Sequence, residues 1–83
     1  YAGQVSAQLH LYPNPATTHV QVVLPHAADA RLSVYDARGR RVRHERISHT
    51  RQTSLDVSTL PGGLYLLVCE LKHVRLPARF VVE

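Results

Sequence analysis

Six histidines stand out first, because neutral imidazole is a common protein ligand for transition metals. Zinc sites combine histidine and cysteine at short, regular spacings, and a strand that binds metal would carry histidines two residues apart. Neither arrangement occurs in this sequence. We therefore favour scattered surface histidines over a metal site, and we expect no metal or other cofactor. The six positions are His10, His19, His26, His44, His49 and His73.

The possible nucleophiles and acids also lack a catalytic arrangement. The serines lie in no nucleophile-elbow sequence, and the six carboxylates are spread singly along the chain. Cys69 lies in an apolar run, which predicts a buried and inert thiol. No glycine-rich loop leads from a strand into a helix, as phosphate binding would require. The sequence therefore predicts a protein that is not an enzyme.

A basic segment in the middle of the chain contains Arg38, Arg40, Arg41, Arg43 and Arg46, and the formal net charge is +4. Clustered arginines can bind phosphate or acidic glycans, and a basic face is typical of nucleic-acid binding. No aromatic side chain that could stack on a base lies among them, which argues against a single-stranded nucleic-acid site, and we expect no nucleic-acid partner. We favour charged residues that protect an exposed strand edge from pairing. An acidic surface polymer stays open as a partner.

The length of 83 residues allows one domain with one modest core. Hydrophobic residues make up 45% and charged residues 19% of the chain, which indicates a globular protein rather than a disordered one. The longest apolar run, 64–69, is far shorter than the roughly 18 residues that would indicate a membrane span. We expect a linker remnant at 1–8 and a single domain at 9–83.

Alternating apolar residues predict short β-strands along nearly the whole domain. Val20, Val22 and Leu24 share one face of a strand that Pro25 closes, and no stretch sustains helical spacing. The run 64–69 is apolar on both faces, which predicts a central strand. With about seven short strands, the predicted fold class is an all-β, immunoglobulin-like antiparallel β-sandwich. The predicted strands include 19–24, 31–35, 40–46, 53–57, 64–69 and 79–82.

Two prolines that lie one residue apart mark the start of the domain. Pro13 and Pro15 each fix φ and remove a backbone donor, and they push Tyr12 and Asn14 into extended geometry. The segment 11–15 is therefore predicted to be a stiff, extended bend.

Glycines predict two further turns. The sequence 36–39 predicts a type I turn with Gly39 in the left-handed region, as in a bulged hairpin. In the later turn, Pro61 would occupy the first corner and Gly62 would supply a positive φ at the second.

Four blocks of sequence follow one another along the chain: LYPNPAT at 11–17, LSVYDARGR at 32–40, LDVSTLPGGLY at 55–65 and FVV at 80–82. Each block alone is only a turn with flanking strands. Together, in this order and spacing, they resemble the type A C-terminal sorting domain of the type IX secretion system, the Por secretion tail family. The resemblance covers nearly the whole chain.

The resemblance implies a secretion signal. Domains of this family terminate proteins exported by Bacteroidetes-type Gram-negative bacteria, in which the cargo reaches the periplasm and the folded domain directs it through the outer-membrane translocon. A sortase commonly removes the domain, and the cargo is secreted or held at the cell surface. The implied partners are the translocon, the sortase and a cargo fused on the N-terminal side. The domain itself catalyses nothing.

The family motifs also imply roles for particular residues. The end motif is the predicted recognition site, since a terminal edge strand can be read by β-augmentation, and the same edge makes a weak homodimer conceivable. This end motif consists of Arg79, Phe80, Val81, Val82 and Glu83. The motif residues that we interpret as structural are Tyr12, Pro13, Asn14, Pro15, Gly39, Pro61, Gly62, Gly63 and Tyr65.

Two features depart from the family pattern, and two other classes of protein stay open. The family often ends in a basic or amide residue, whereas this sequence ends in Glu83, and Leu76-Pro77 is expected to interrupt the approach to the last strand. An immunoglobulin- or fibronectin-like adhesion or carbohydrate-binding module would share the sandwich. A small glycan-binding accessory domain of an enzyme is the second class. It would expose a row of aromatic side chains, whereas the few aromatics here fall in predicted strands and bends.

Overall fold

Five β-strands make up most of residues 9–83, the part of the chain that a computed structural model describes. The predicted all-β class is confirmed, because this range contains no helix and its named strands pair antiparallel. No helix that could cross a membrane occurs among these residues. The predicted linker remnant at 1–8 lies outside them. The strands are β1 (His10–Tyr12), β2 (His19–Tyr35), β3 (Arg41–Asp56), β4 (Gly63–Glu70) and β5 (Arg75–Val82).

The predicted count of about seven short strands is wrong for residues 9–83, because two pairs of predicted strands are continuous. β2 contains both 19–24 and 31–35, and β3 joins nearly all of 40–46 to most of 53–57. The residues that join each pair do not alternate regularly between apolar and polar. The sequence pattern of a strand is therefore lost there, although the backbone stays extended. One five-stranded antiparallel sheet that curls on itself is found where the sequence predicts a seven-stranded sandwich.

Both long strands are irregular at the same level of the sheet. The sequence predicts that Pro25 ends a strand, but it lies inside β2, where the register with β3 shifts between Val23 and Ala28. Such an irregular stretch interrupts the ladder locally and tolerates a residue without an N–H. On the facing strand, His49 has a φ of 49°, and its N–H donates to Asp29 Oδ1 at 2.9 Å. A hydrogen bond between the two strands therefore lies within this irregular stretch.

β2 organises the sheet. Its first half pairs with β1 and the end of β3, and its second half pairs with the start of β3 and with β4. β5 continues the sheet beyond β4, so the predicted central position of 64–69 is confirmed. The sheet curls until the end of β5 meets the segment after β1, where Ala16 and Val82 form a parallel bridge. The curl encloses a single core.

The core contains the residues that strand alternation points inward. β2 contributes Val20, Val22, Leu32 and Val34, all of which are fully or almost fully buried. Burying each such side chain contributes about 1.5–3 kcal/mol relative to leaving it in water. Burial also raises the pKa of the Cys69 thiol, as expected for an inert cysteine. Other fully buried core residues are Leu24, Leu55, Val57, Leu67 and Phe80.

Candidate functional site

The segment after β1 clamps the end of β5. Asn14 Oδ1 accepts a hydrogen bond from the Val81 N–H at 2.9 Å. The Ala16 N–H donates to the Val81 carbonyl at 2.7 Å, and the Glu83 N–H donates to the Ala16 carbonyl at 2.8 Å. Ala16 itself is fully buried. This segment therefore does more than bend the chain, because it supplies the hydrogen-bonding partners of the last strand.

The remaining residues of the opening motif lie on the outside of this clamp. Tyr12 ends β1 and is about half exposed, and its hydroxyl accepts a hydrogen bond from Gln52 Nε2 at 2.9 Å. Pro13 and Pro15 are exposed in the bend, and the peptide bonds that precede them are both cis. They contribute to the shape of the clamp and bury little surface.

The turn that precedes β4 packs against the backbone of the chain end. A Cβ added to Gly62 would lie 3.3 Å from the Val82 carbonyl oxygen and 3.6 Å from the Glu83 carbonyl carbon. The predicted positive φ at Gly62 is wrong, because the positive φ lies at Gly63, at 156°. A residue without a side chain is needed at position 62 because two backbones approach each other closely there, and not because of the turn type.

Tyr65 ties this turn to β5. Its hydroxyl donates to the Pro61 carbonyl at 2.5 Å, and its ring stacks on Phe80 with a centroid distance of 5.7 Å. Both rings are nearly or fully buried, and such aromatic pairs stabilise a core beyond their buried area. The turn and the last strand are therefore held together from inside the core as well as along the backbone.

The hairpin between β2 and β3 forms as predicted, with Gly39 at a φ of 85°. Asp36 Oδ1 accepts hydrogen bonds from the N–H groups of Arg38 and Arg40 at 2.9 and 3.0 Å, and Asp36 Oδ2 lies 3.3 Å from Arg40 Nε. These contacts, the Arg40 N–H above all, hold the pKa of Asp36 below its usual value. A groove of about 380 Å³ separates this hairpin from the turn at Pro61.

The five predicted recognition residues do not form one surface. Phe80 and Val82 point into the core and are 0% and 2% exposed. Arg79, Val81 and Glu83 lie on the exposed face of the strand. Only these three side chains are available to a partner while the domain is folded.

The outer edge of β5 offers few hydrogen-bonding groups. Val81 directs its N–H and its carbonyl away from β4, towards Asn14 and Ala16. Because the direction of hydrogen bonding alternates along an antiparallel strand, Arg79 and Pro77 face the same edge, and Pro77 has no N–H. An incoming strand would find one backbone donor, that of Arg79, over this stretch. Such an edge disfavours β-augmentation and strand-mediated dimerisation.

The expectation that Leu76-Pro77 interrupts the approach to the last strand is wrong. β5 begins at Arg75 and runs through both residues. Leu76 is 8% exposed and packs in the core. Pro77 is tolerated because its missing donor falls on the edge of the sheet, where no ladder bond is lost.

The basic segment covers the β2–β3 hairpin and the first half of β3. Among the described strands β3 pairs only with β2, so its other edge is open. Arg43 donates from its guanidinium to the Val42 carbonyl at 2.8 Å and to the Thr59 hydroxyl. This placement agrees with charged residues that protect an exposed edge.

Three histidines that are far apart in sequence line one groove of about 460 Å³. His26, His49 and His73 surround it together with Asp29. In residues 9–83, no set of three or more potential ligands lies close enough to hold a metal ion. Their juxtaposition has no signal in the sequence, because the groove brings together β2, β3 and the turn between β4 and β5, which are far apart along the chain.

Sequence reasoning missed the outward face of β4. Leu64 and Leu66 point away from the core, opposite to Tyr65 and Leu67, and Leu64 is 51% exposed. The signal is the run 64–69 that is apolar on both faces, which predicts a central strand and does not reveal that one of its faces is exposed. In residues 9–83 no strand covers this face of the sheet.

A comparison with known families covers the whole of this arrangement. A family model described as a secretion system C-terminal sorting domain matches residues 10–83. The matched range contains all five strands, the clamp after β1 and both glycine turns. A comparison with curated proteins finds no match.

Proposed function

We propose, because the chain belongs to the family of secretion system C-terminal sorting domains, that the end of β5 and the segments around it form the part that the export machinery recognises. Membership makes the domain a C-terminal sorting signal for type IX secretion. It also implies a cargo on the N-terminal side and a secreted or cell-surface destination. The family is not an enzyme family.

The observation that carries this proposal is the convergence of separate motifs on one strand end. Asn14 and Ala16 bind the backbone of Val81 and Glu83, and Gly62 lies against the same stretch from the other side. Contacts along the backbone and in the core thus fix the backbone from which the outward side chains project. A preorganised site loses little conformational entropy when a partner binds.

The route that we propose follows the family. The cargo reaches the periplasm of a Bacteroidetes-type bacterium, the folded domain directs it through the outer-membrane translocon, and a sortase removes the domain at the surface. β1 begins at His10, so cleavage within 1–8 or further upstream would leave all five described strands intact. Such a cleavage would therefore release the domain with its strands uncut.

An adhesion or carbohydrate-binding module is the alternative function. A glycan platform needs a row of exposed aromatic rings, whereas Tyr12 is the one aromatic among the exposed large hydrophobic residues of 9–83. In such a module, the contacts on the end of β5 would serve folding alone. We therefore retain the sorting signal as the function that the arrangement supports best.

A reporter directed to the periplasm tests the proposal in a host that has the secretion system. One fusion carries the full chain, a second lacks 80–83, and a third lacks the whole domain. We expect only the first reporter at the cell surface. Equal surface amounts of the first two, or no surface reporter from the full chain, would overturn the proposed function.

A further inference from the structure

The outward face of β4 and β5 carries an exposed apolar stripe. Leu64 is 51% and Val81 37% exposed, and the two residues are direct partners across the strands. Because both bonding groups of Val81 point away from β4, the pair is of the non-hydrogen-bonded type, in which side chains lie closest. Leu66 extends the stripe and lies opposite Arg79 on β5 and Tyr35 on β2. We call Leu64, Leu66, Arg79 and Val81 the outer stripe.

A hollow of about 240 Å³ opens within the outer stripe. It is lined by Leu64, Leu66 and Arg79, with Asp36 and Ala37 of the hairpin on its other side. Pockets for small molecules usually measure about 300–1,000 Å³ and enclose most of the ligand. This hollow is smaller, so its size fits a single apolar side chain of a protein partner better than a free small molecule.

Two charged side chains line the hollow, and Arg79 is the more exposed of the two. Asp36 is already engaged by the backbone of Arg38 and the side chain of Arg40. Arg79 takes part in none of the ion pairs within residues 9–83. An arginine next to an apolar hollow is a frequent hot spot of protein interfaces, and its fork-shaped guanidinium pairs well with a carboxylate.

We propose that the outer stripe is the surface by which the export machinery reads this domain. The partner is a protein segment that places an apolar side chain in the hollow and a carboxylate on Arg79. The inference rests on the proposed function and specifies which groups near the end of β5 the partner contacts. Recognition uses side chains on the face of the sheet, because Asn14 and Ala16 already occupy the backbone edge at Val81.

Two substitutions with matched controls test this inference in the reporter fusion. Leu64→Ser is compared with Val74→Ser, since Val74 is 45% exposed and lies outside the outer stripe. Arg79→Glu is compared with Arg51→Glu, an exposed position on β3 that carries the same change of charge. We expect Leu64→Ser and Arg79→Glu to slow export at least tenfold, while both controls are exported at the rate of the unsubstituted chain.

The outcomes separate the inference from the proposed function. If Leu64→Ser and Arg79→Glu are both exported as fast as the unsubstituted chain, recognition through the outer stripe is refuted and the sorting function stands. If the unsubstituted chain is not exported, the inference and the proposed function are both refuted. Thermal melting of each variant shows whether slow export reflects unfolding.

A photo-crosslinking residue in place of Leu64 provides a readout that does not depend on export rate. We expect an adduct with a component of the export machinery from position 64, at least tenfold weaker from position 74, and lost when Arg79→Glu is added. Equal adducts from both positions, or an adduct that Arg79→Glu leaves unchanged, would contradict the inference. This arm decides the question for any variant that melts at a lower temperature than the unsubstituted chain.

Discussion

The substitution Asn14→Ala tests whether the segment after β1 holds the end of β5 by a specific hydrogen bond. The change removes Oδ1, which accepts the Val81 N–H at 2.9 Å, and leaves the two backbone bonds of Ala16 in place. A single hydrogen bond contributes about 0.5–1.5 kcal/mol net to stability. Because this bond is exposed and water can replace the lost acceptor, we expect the free energy of unfolding to fall by about 0.5–1 kcal/mol, the lower half of that range.

The expected loss is measurable in a domain of this size. At about 4–8 °C per kcal/mol for 60–100 residues, Asn14→Ala should lower Tm by about 2–8 °C. Thermal and urea unfolding followed by circular dichroism measure the free energy of unfolding. Hydrogen exchange of the Val81 amide reports the clamp directly, and we expect this amide to exchange faster in the variant.

Asn14→Asp is the matched control, because an aspartate oxygen can accept the same hydrogen bond. We expect its Tm to stay closer to that of the unsubstituted chain than the Tm of Asn14→Ala. Unchanged melting and unchanged exchange of the Val81 amide in Asn14→Ala would refute the clamp. An equal loss in both variants would show that the acceptor at this position is not what stabilises β5.

Two further predictions concern the hairpin and the acid side of the stability profile. Gly39→Ala should lower the free energy of unfolding by about 1–2 kcal/mol, because an L residue is strained at the left-handed φ of 85°. The added Cβ would meet no atom within 4 Å, so no steric clash adds to this loss. A free energy of unfolding in urea equal to that of the unsubstituted chain would contradict this prediction. Hydrogen bonds, mainly from the Arg40 N–H and the Ser58 hydroxyl, lower the folded-state pKa of Asp36 and Asp56 respectively. The unfolded chain therefore binds more protons, so this stability is complete above about pH 4 and is lost as pH falls through the folded-state values. Tm measured against pH should fall below about pH 4, and less so in a variant with asparagine at both positions.

The strand count shows where sequence patterns stop being informative. Alternation correctly places Val20, Val22 and Leu32 in the core, because side chains of a strand point to alternate faces. It fails between the two halves of β2, where Pro25 and polar residues break the pattern while the chain stays paired through a register shift. The register shift absorbs the break, and its position depends on the partner strand.

The glycine turns separate two kinds of information. The left-handed φ of Gly39 follows from its own turn, so the residues 36–39 are sufficient to predict it. The need for a small residue at Gly62 comes from the carbonyl of Val82, which no local pattern contains. A turn type assigned from neighbours alone therefore gives Gly62 the wrong role.

Local sequence is enough to identify the strands' inward faces, the hairpin and the family, because these depend on dihedral preferences and on a period of two residues. The site depends on longer distances along the chain. Asn14 and Val81 are 67 positions apart, and they meet because the twist accumulated over five strands closes the sheet on itself. The same closure leaves Leu64 beside Val81 on an uncovered face, since the curl encloses only one side of the sheet.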